Sequence, residues 1–326
     1  MKQRTFGKTD LTIGEVGLGC WQFGGDFGPM EEDTAFDIMN AAVEGGTTFF
    51  DTADVYGAGR SESLIGRFLQ NSDQHIFVAT KFGRGPDVYP DKYTENSLRK
   101  ATEASLKRLN VEILDLIQLH CIPIEALVDG TVFEWLRALK EEGKIRHFGA
   151  SVETVEEGLL CLKAEGITSL QIIFNIFRQK PIEELIPLAK EKGVGVIVRL
   201  PLASGLLSGK FTKRTRFEKT DHRFFNRDGQ FFNVGETFGG IPFEKGVELT
   251  DELKEFVPEG MSIIQMALRW ILDHDAVSVI IPGASSPSQA ALNAQISDLL
   301  PLPDRLHKRL SEFYTQNVRD HIRGPY

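Results

Sequence analysis

Short apolar runs of strand length alternate with longer amphipathic stretches from one end of the chain to the other. In the longer stretches the apolar positions recur with the spacing of a helix, whereas the short runs are typical of buried strands. The pattern predicts strands near 16–20, 47–51, 76–81, 113–119, 147–151, 169–174, 195–200 and 277–281. It predicts helices near 32–45, 61–70, 94–109, 132–142, 154–165, 182–192, 262–273, 287–296 and 303–316.

Eight strand-helix units predict an α/β fold, a closed (β/α)8 TIM barrel that forms one domain over residues 1–326. Such barrels usually need about 250 residues, which leaves room for loops and an extra C-terminal helix. Residues 3–14 alternate as a hairpin would, and a hairpin there could close the bottom of the barrel. An open doubly wound sheet is the alternative, but the segment 17–22 lacks the third glycine of a dinucleotide-binding fingerprint.

One long segment, 208–245, follows the seventh predicted strand and shows no clear regular structure. It contains arginines, paired phenylalanines and several glycines. Loops on this face of a barrel carry binding residues, and a loop of this length is usually functional or mobile. We therefore predict a lid or cofactor clasp, with a tolerated insertion as the alternative.

The composition disfavours several classes of protein, namely nucleic-acid-binding, disulfide-rich, zinc-binding and membrane proteins. The net charge of −9 is scattered and forms no basic stripe, which disfavours nucleic acid as a partner. The three cysteines form no CxxC or Cys/His spacing, which disfavours a disulfide framework and a structural zinc site. No apolar run is long enough for a membrane span or a signal peptide. We expect a cytoplasmic enzyme that is a monomer or a weak homo-oligomer.

Four ionisable residues follow three successive predicted strands: Asp51, Tyr56, Lys81 and His120. The carboxyl ends of parallel strands meet on one face, where ligands bind, so these side chains are candidates for proton transfer. Each also has an ordinary interpretation when taken alone. The tyrosine could cap a loop, the lysine could snorkel from a strand end, the aspartate could be structural, and the histidine could be a satisfied core residue.

Six ordered motifs extend this constellation along nearly the whole chain, at residues 50–66, 79–81, 116–120, 148–151, 201–210 and 281–285. Their order and spacing resemble the aldo-keto reductase family, whose fold is a (β/α)8 barrel. The resemblance implies an NAD(P)H-dependent oxidoreductase that reduces a small or sugar-like aldehyde or ketone. A nucleotide-binding regulatory subunit of the same fold is the alternative. A metal-dependent barrel isomerase is disfavoured because no metal-binding spacing falls at the strand ends.

The same resemblance implies roles for the four residues. Tyr56 matches the general acid that protonates the carbonyl oxygen. A free tyrosine has a pKa near 10, and an ammonium close to it would lower that value. Lys81 matches the lysine in this place, and Asp51 would pair with it. His120 would donate a hydrogen bond that orients the substrate oxygen, or share the role of proton donor.

Matches at the nicotinamide end concern the carboxamide and the ring. Ser151 and Gln171 match residues that bind the carboxamide; Val152 replaces an asparagine common in the family, and Asn175 is a possible substitute. Arg199 stands where an aromatic residue commonly stacks on the ring. Its guanidinium could stack instead and disfavour the cationic oxidised form, or it could pair with an acid or a phosphate.

Other matches predict the remaining contacts. Trp21 occupies a position that commonly lines the substrate pocket, although packing at the barrel rim is the alternative. Backbone amides and serine hydroxyls at the start of the helix near 287 make a plausible phosphate site. The family favours NADP(H) over NAD(H), although Gly283 and Gln289 stand where some members have Lys and Arg; Lys210 or an arginine of 208–245 could supply the missing charge. The further predicted contacts are Gly19, Cys20, Trp21, Pro201, Leu202, Ser204, Gly205, Leu206, Lys210, Gly283, Ser285, Gln289 and Asn293.

Overall fold

The computed structural model describes residues 1–326 and contains an eight-stranded parallel barrel. An antiparallel hairpin of β1 (Gln3–Thr5) and β2 (Thr12–Gly14) comes first. The barrel strands are β3 (Leu18–Gly19), β4 (Phe49–Asp51), β5 (Phe77–Phe82), β6 (Leu114–His120), β7 (Ile145–Ser151), β8 (Ser169–Ile173), β9 (Gly195–Arg199) and β10 (Val277–Ile280). Each pairs with its neighbour in chain order, and parallel bridges from Val16 to Ile280 and from Gly19 to Gly283 join the two ends. The predicted barrel is confirmed.

Twelve α-helices surround or cap the barrel. They are α1 (Glu32–Glu44), α2 (Arg60–Leu69), α3 (Glu95–Leu109), α4 (Ile124–Asp129), α5 (Thr131–Glu141), α6 (Val155–Cys161), α7 (Leu185–Lys192), α8 (His222–Phe225), α9 (Phe243–Leu253), α10 (Ile263–Leu272), α11 (Pro287–Ala294) and α12 (Asp304–Phe313). None of them is long and apolar enough to cross a membrane. The predicted helix at 154–165 ends earlier, at Cys161, and the sequence pattern did not predict α4, α8 or α9.

The hairpin closes the bottom of the barrel, as predicted. Phe6 lies between the hairpin strands in sequence, and its ring centroid is 5.9 Å from that of Phe49 and 5.8 Å from that of Phe77. These rings belong to a cluster of nine buried apolar side chains inside the barrel. Because the interior is filled from this side, a ligand must enter from the opposite face, where the strands have their carboxyl ends.

The segment 208–245 is more ordered than its sequence indicates. It contains α8 and short 3-10 turns at Val234–Glu236 and Phe238–Gly240, and α9 already begins at Phe243. The Arg223 guanidinium lies 4.7 Å from the centre of the Phe217 ring. The expectation of a segment without regular structure is therefore wrong in detail, because aromatic and cation-π contacts hold it in short turns.

Candidate active site

A buried ion pair joins two adjacent strands at the top of the barrel. Asp51 ends β4 and pairs in register with Ala79, two residues before Lys81 on β5, so both side chains turn to the same side. Lys81 Nζ donates to Asp51 Oδ1 at 2.5 Å and to the carbonyl oxygen of Thr52 at 2.8 Å, and lies 3.3 Å from Tyr56 Oη. The lysine and the aspartate are only 1% and 3% exposed. Each charge therefore compensates the other in a dry environment.

Two glutamines complete the surroundings of the carboxylate. Gln118 on β6 and Gln171 on β8 donate to Asp51 Oδ2 at 3.2 Å and 2.6 Å. The oxygen of Gln171 lies 3.4 Å from Ser151 Oγ, which donates to it. Gln171 was predicted to hold a nicotinamide carboxamide, and here its amide nitrogen serves Asp51. Gln118 was not identified from the sequence. This glutamine lies in an apolar strand, directly opposite Lys81 in the β5–β6 register, and a polar residue in such a strand could have indicated it.

Tyr56 lies in the turn after β4 and faces two other aromatic residues. Its ring is stacked on Trp21 at a centroid distance of 5.9 Å and meets the His120 ring edge-on at 5.8 Å. Glycine is required where the two loops cross, because a Cβ on Gly57, which has a φ of +60°, would lie 2.7 Å from the carbonyl oxygen of Gly24. This close approach brings the Trp21 turn against the tyrosine.

The pKa of Tyr56 lies well above its ordinary value. Burial is the largest cause, followed by the carboxylates of Asp51 and Glu236, while Arg199 acts in the opposite direction. The sequence-based expectation was that Lys81 would lower this pKa. That expectation is wrong for the net effect, because burial raises the pKa most and the carboxylate of Asp51 offsets the charge of Lys81. The phenol is therefore held in its protonated form.

His120 ends β6 in surroundings that favour the neutral imidazole. Burial lowers its pKa well below the ordinary value, and the charges of Lys81, Arg84 and Arg199 act in the same direction. Its Nδ1 is buried without a hydrogen-bond partner, and the side chain lines the cavity described next. Nε2 is therefore the nitrogen left to bond an oxygen atom in that cavity.

A cavity of about 920 Å³ opens at this face, a size in the range of small-molecule and cofactor sites. Asn175 and Leu206 do not line it: the Asn175 amide braces a loop by donating to the Leu200 carbonyl oxygen at 2.9 Å, and Leu206 is buried in the core. The predicted residues that do line it are Gly19, Cys20, Trp21, Asp51, Tyr56, His120, Ser151, Gln171, Arg199, Pro201, Leu202, Ser204, Gly205, Lys210, Gly283, Ser285, Gln289 and Asn293.

Arg199, at the end of β9, ties the segment 208–245 to the barrel. It forms an ion pair with Glu236 and donates to the carbonyl oxygen of Val152 at 2.9 Å. Of the two interpretations offered for this residue, pairing with an acid is present in the structure. Stacking on a nicotinamide ring stays a prediction, since the guanidinium also lines the cavity.

A second ion pair, between Arg84 and Glu153, lies beside the first. Cys121, Glu153 and Glu236 bring three possible metal-ligand atoms within 4.8 Å of one another. Both carboxylates are already bound to arginines, and burial raises the pKa of the Cys121 thiol to about 11. We assign this cluster to ion pairing. The sequence did not single out Arg84, Glu153 or Glu236.

The far end of the cavity has the groups expected for an anion. Ser285 donates through its backbone nitrogen and its hydroxyl to Gln289 Oε1, at 2.9 Å and 3.0 Å, just before α11 begins. Asn293 donates to the carbonyl oxygen of Gly283 at 3.3 Å. Lys210 is exposed and lines the cavity without a carboxylate partner.

Comparisons with known proteins identify the family to which the chain belongs. A sequence model of the Aldo/keto reductase family matches residues 15–315. The chain is 31% identical over 322 residues to the uncharacterized oxidoreductase YqkF of Bacillus subtilis, covering 98% of both chains. It is 28% identical over 310 residues to the aldo-keto reductase YhdN of Bacillus subtilis, covering 91% of this chain and 89% of that protein.

The chain is also similar to solved structures of oxidoreductases. The glycerol dehydrogenase AKR11B4 from Gluconobacter oxydans superposes with a TM-score of 0.80 at 28% identity, over 99% of this chain and 98% of that chain. The holo form of the aldo-keto reductase AKR11C1 from Bacillus halodurans superposes with a TM-score of 0.77 at 30% identity, over 96% of each chain. The chain is therefore an oxidoreductase that belongs to the aldo/keto reductase family.

Proposed function

We propose that this protein reduces an aldehyde or ketone to the alcohol, with a reduced nicotinamide dinucleotide as hydride source and Tyr56 as general acid. The observation that carries the proposal is the position of the Tyr56 hydroxyl, 3.3 Å from the buried Lys81 ammonium and beside the His120 ring. These groups meet at the carboxyl ends of the barrel strands, next to the cavity. Family membership supports the reaction class.

The raised pKa of Tyr56 suits a proton donor in reduction. Hydride addition to a carbonyl carbon places a negative charge on the oxygen, and an alkoxide is a far stronger base than a phenolate. Proton transfer from the phenol to that oxygen therefore runs downhill. The phenolate left behind lies next to the Lys81 ammonium, which stabilises it. Asp51 keeps the lysine in this place.

His120 acts through a hydrogen bond rather than through charge. A neutral imidazole carries one N–H, and this N–H on Nε2 donates to the substrate oxygen. A donor that is already oriented at the oxygen stabilises the negative charge as it develops. Tyr56 and His120 thus hold the carbonyl oxygen from two sides.

The residues present fit a nicotinamide dinucleotide, and we favour NADP(H) over NAD(H). When bound, this cofactor supplies the hydride. Ser151, Gln171 and Arg199 would hold the nicotinamide end, where the buried Nε of Arg199 has no partner in the protein. Lys210 and the start of α11 would hold the phosphate end, since one unpaired ammonium and a helix N-terminus both favour an anion.

The Tyr56→Phe variant tests the proposal. We expect it to lose about 10²–10⁴-fold in kcat, the usual contribution of general acid catalysis, while its affinity for NADPH stays near that of the wild type. Turnover is followed by the absorbance of the reduced nicotinamide over a carbonyl panel, with NADH and NADPH compared. Tyr89→Phe is the matched control, because Tyr89 lines the same cavity but is 40% exposed at its rim.

Two results would contradict the proposal. Near-normal turnover of Tyr56→Phe would remove the tyrosine from the chemistry. A wild-type protein that binds NADPH tightly and turns over no carbonyl would favour the regulatory subunit instead.

A further inference from the structure

Aromatic rings run without interruption from the proposed proton donor to the mouth of the cavity. Trp21 stacks on Tyr56, and its ring centroid lies 6.3 Å from that of Phe232. Phe225 connects Phe232 and Phe231, at centroid distances of 6.1 Å and 5.4 Å. Phe231 is 73% exposed although it lines the cavity. We call the cavity-lining members of this row, Trp21, Phe232 and Phe231, the aromatic wall.

The inner end of the wall is held in a fixed orientation. Trp21 Nε1 donates to Asp26 Oδ2 at 2.6 Å, and the Trp21 ring contacts His222 at a centroid distance of 4.6 Å. The backbone nitrogen of His222 in turn donates to the Asp26 carbonyl oxygen at 2.8 Å, which ties the segment 208–245 to the Trp21 turn. A surface that is already rigid loses little conformational entropy when a flat ligand binds to it.

The charged side chains around this part of the cavity are already occupied. Three arginines line it, and each has a carboxylate partner; the pairs are Arg84–Glu153, Arg199–Glu236 and Arg223–Asp221. A charged substrate would have to compete with one of these ion pairs for its partner. Lys210 is the unpaired cation of the cavity, and the proposed function assigns it to the nucleotide.

We propose that the substrate is a neutral carbonyl compound with a flat apolar body, aromatic or conjugated, that lies along the aromatic wall with its carbonyl at Tyr56. Phe232 and Phe231 then determine specificity, Phe232 along the body and Phe231 at its outer end. The inference rests on the proposed carbonyl reduction and changes the expected substrate from a small or sugar-like carbonyl compound to an aromatic or conjugated one. A polyhydroxylated substrate would place hydroxyls against aromatic faces and lose hydrogen bonds to water.

A panel of four aldehydes with wild type and variants tests this proposal. We expect kcat/KM to fall in the order 2-naphthaldehyde, benzaldehyde, glyceraldehyde, with 4-carboxybenzaldehyde at least tenfold below benzaldehyde. Phe232→Ala should raise KM for 2-naphthaldehyde about tenfold and leave that for glyceraldehyde within about twofold, because the loss of apolar contact affects only the larger ligand. Phe232→Leu keeps an apolar side chain without a ring, and its KM for 2-naphthaldehyde should lie between those of the wild type and Phe232→Ala. Phe224→Ala is the matched control, since Phe224 is 52% exposed on the same segment and does not line the cavity.

The outcomes separate this proposal from the proposed function. Reduction of glyceraldehyde as efficiently as 2-naphthaldehyde, or an equal KM change for both in Phe232→Ala, overturns the aromatic substrate but leaves the reductase intact. If no aldehyde is reduced, the proposed function fails, and tryptophan fluorescence with 2-naphthalenemethanol still decides the inference. Quenching that Phe232→Ala weakens and Phe224→Ala does not would support the aromatic wall; absence of binding to the NADPH-loaded protein would overturn it.

Discussion

Replacing Lys81 with methionine should leave Asp51 as a buried carboxylate without a counter-ion. Removing one partner of a buried pair typically costs about 3–5 kcal/mol of folding free energy. The amides of Gln171 and Gln118 remain hydrogen-bonded to the carboxylate, so we expect the lower end, about 3 kcal/mol. At about 2 °C per kcal/mol for a large domain, the Tm should fall by about 6 °C.

A second substitution separates the effect on stability from the effect on catalysis. In the double variant Asp51→Asn with Lys81→Met no buried charge is left unpaired, so most of the lost Tm should return. Turnover should not return, because the ammonium 3.3 Å from Tyr56 Oη is still missing. Lys210→Met is the control: this lysine lines the cavity but is exposed and has no carboxylate partner, and its loss should change stability by less than about 0.5 kcal/mol.

Thermal unfolding of the wild type and the variants, with turnover of one aldehyde measured on the same samples, gives both quantities. If Lys81→Met unfolds at the same temperature as the wild type, a buried Asp51 carboxylate without a counter-ion does not destabilise the fold, and the prediction is wrong. A double variant that regains turnover would show that Tyr56 needs no ammonium beside it.

Three further predictions concern groups around the site. Burial and the charge of Glu62 raise the pKa of Asp54 to about 7, above the unfolded value of about 3.9. The free energy of unfolding of the wild type should therefore fall by up to about 4 kcal/mol as pH rises from about 4 to 7. Urea unfolding of Asp54→Asn at the same pH values should not show this fall. Glu236→Gln leaves the Arg199 charge unpaired and should raise the ratio of the NADP⁺ and NADPH dissociation constants about tenfold, or about 1.4 kcal/mol, in fluorescence titrations; an unchanged ratio would place Arg199 away from the nicotinamide. Hydrogen exchange should show the segment 208–245 more protected with NADPH than without it, and equal protection would make it a passive insertion.

The barrel was predictable because its signals are local and repeated. Each parallel strand is buried on both faces and reads as an apolar run, and each crossover needs a helix that shows its own period. The strand order then brought Asp51, Lys81 and His120 to one edge without knowledge of any contact. The sequence pattern did not predict helix α9, because Gly246 in its middle lowers the helical propensity of the segment. That glycine is needed where the helix meets Leu206, since a Cβ there would lie 2.5 Å from the leucine side chain.

The partners of the arginines were not predictable in the same way. Arg199 and Glu236 are 37 residues apart, and the segment between them has no period that indicates how it folds back. The sequence contains 46 acidic residues, so charge alone does not select one. The predicted direction of the Tyr56 pKa shift was wrong for a related reason. The strand ends predict that a lysine is near the tyrosine, whereas the pKa depends first on burial and then on the carboxylates that share the site.

The geometry of Lys81 also decides where the Tyr56 proton points. An ammonium has three N–H groups and no acceptor. Two of them are directed to Asp51 Oδ1 and the Thr52 carbonyl oxygen, which leaves the third for Tyr56 Oη. The phenol oxygen is therefore an acceptor toward the lysine, and its own O–H cannot be directed there. Because the side chain lines the cavity, the O–H is free to donate into it, toward the place where a carbonyl oxygen beside His120 would lie.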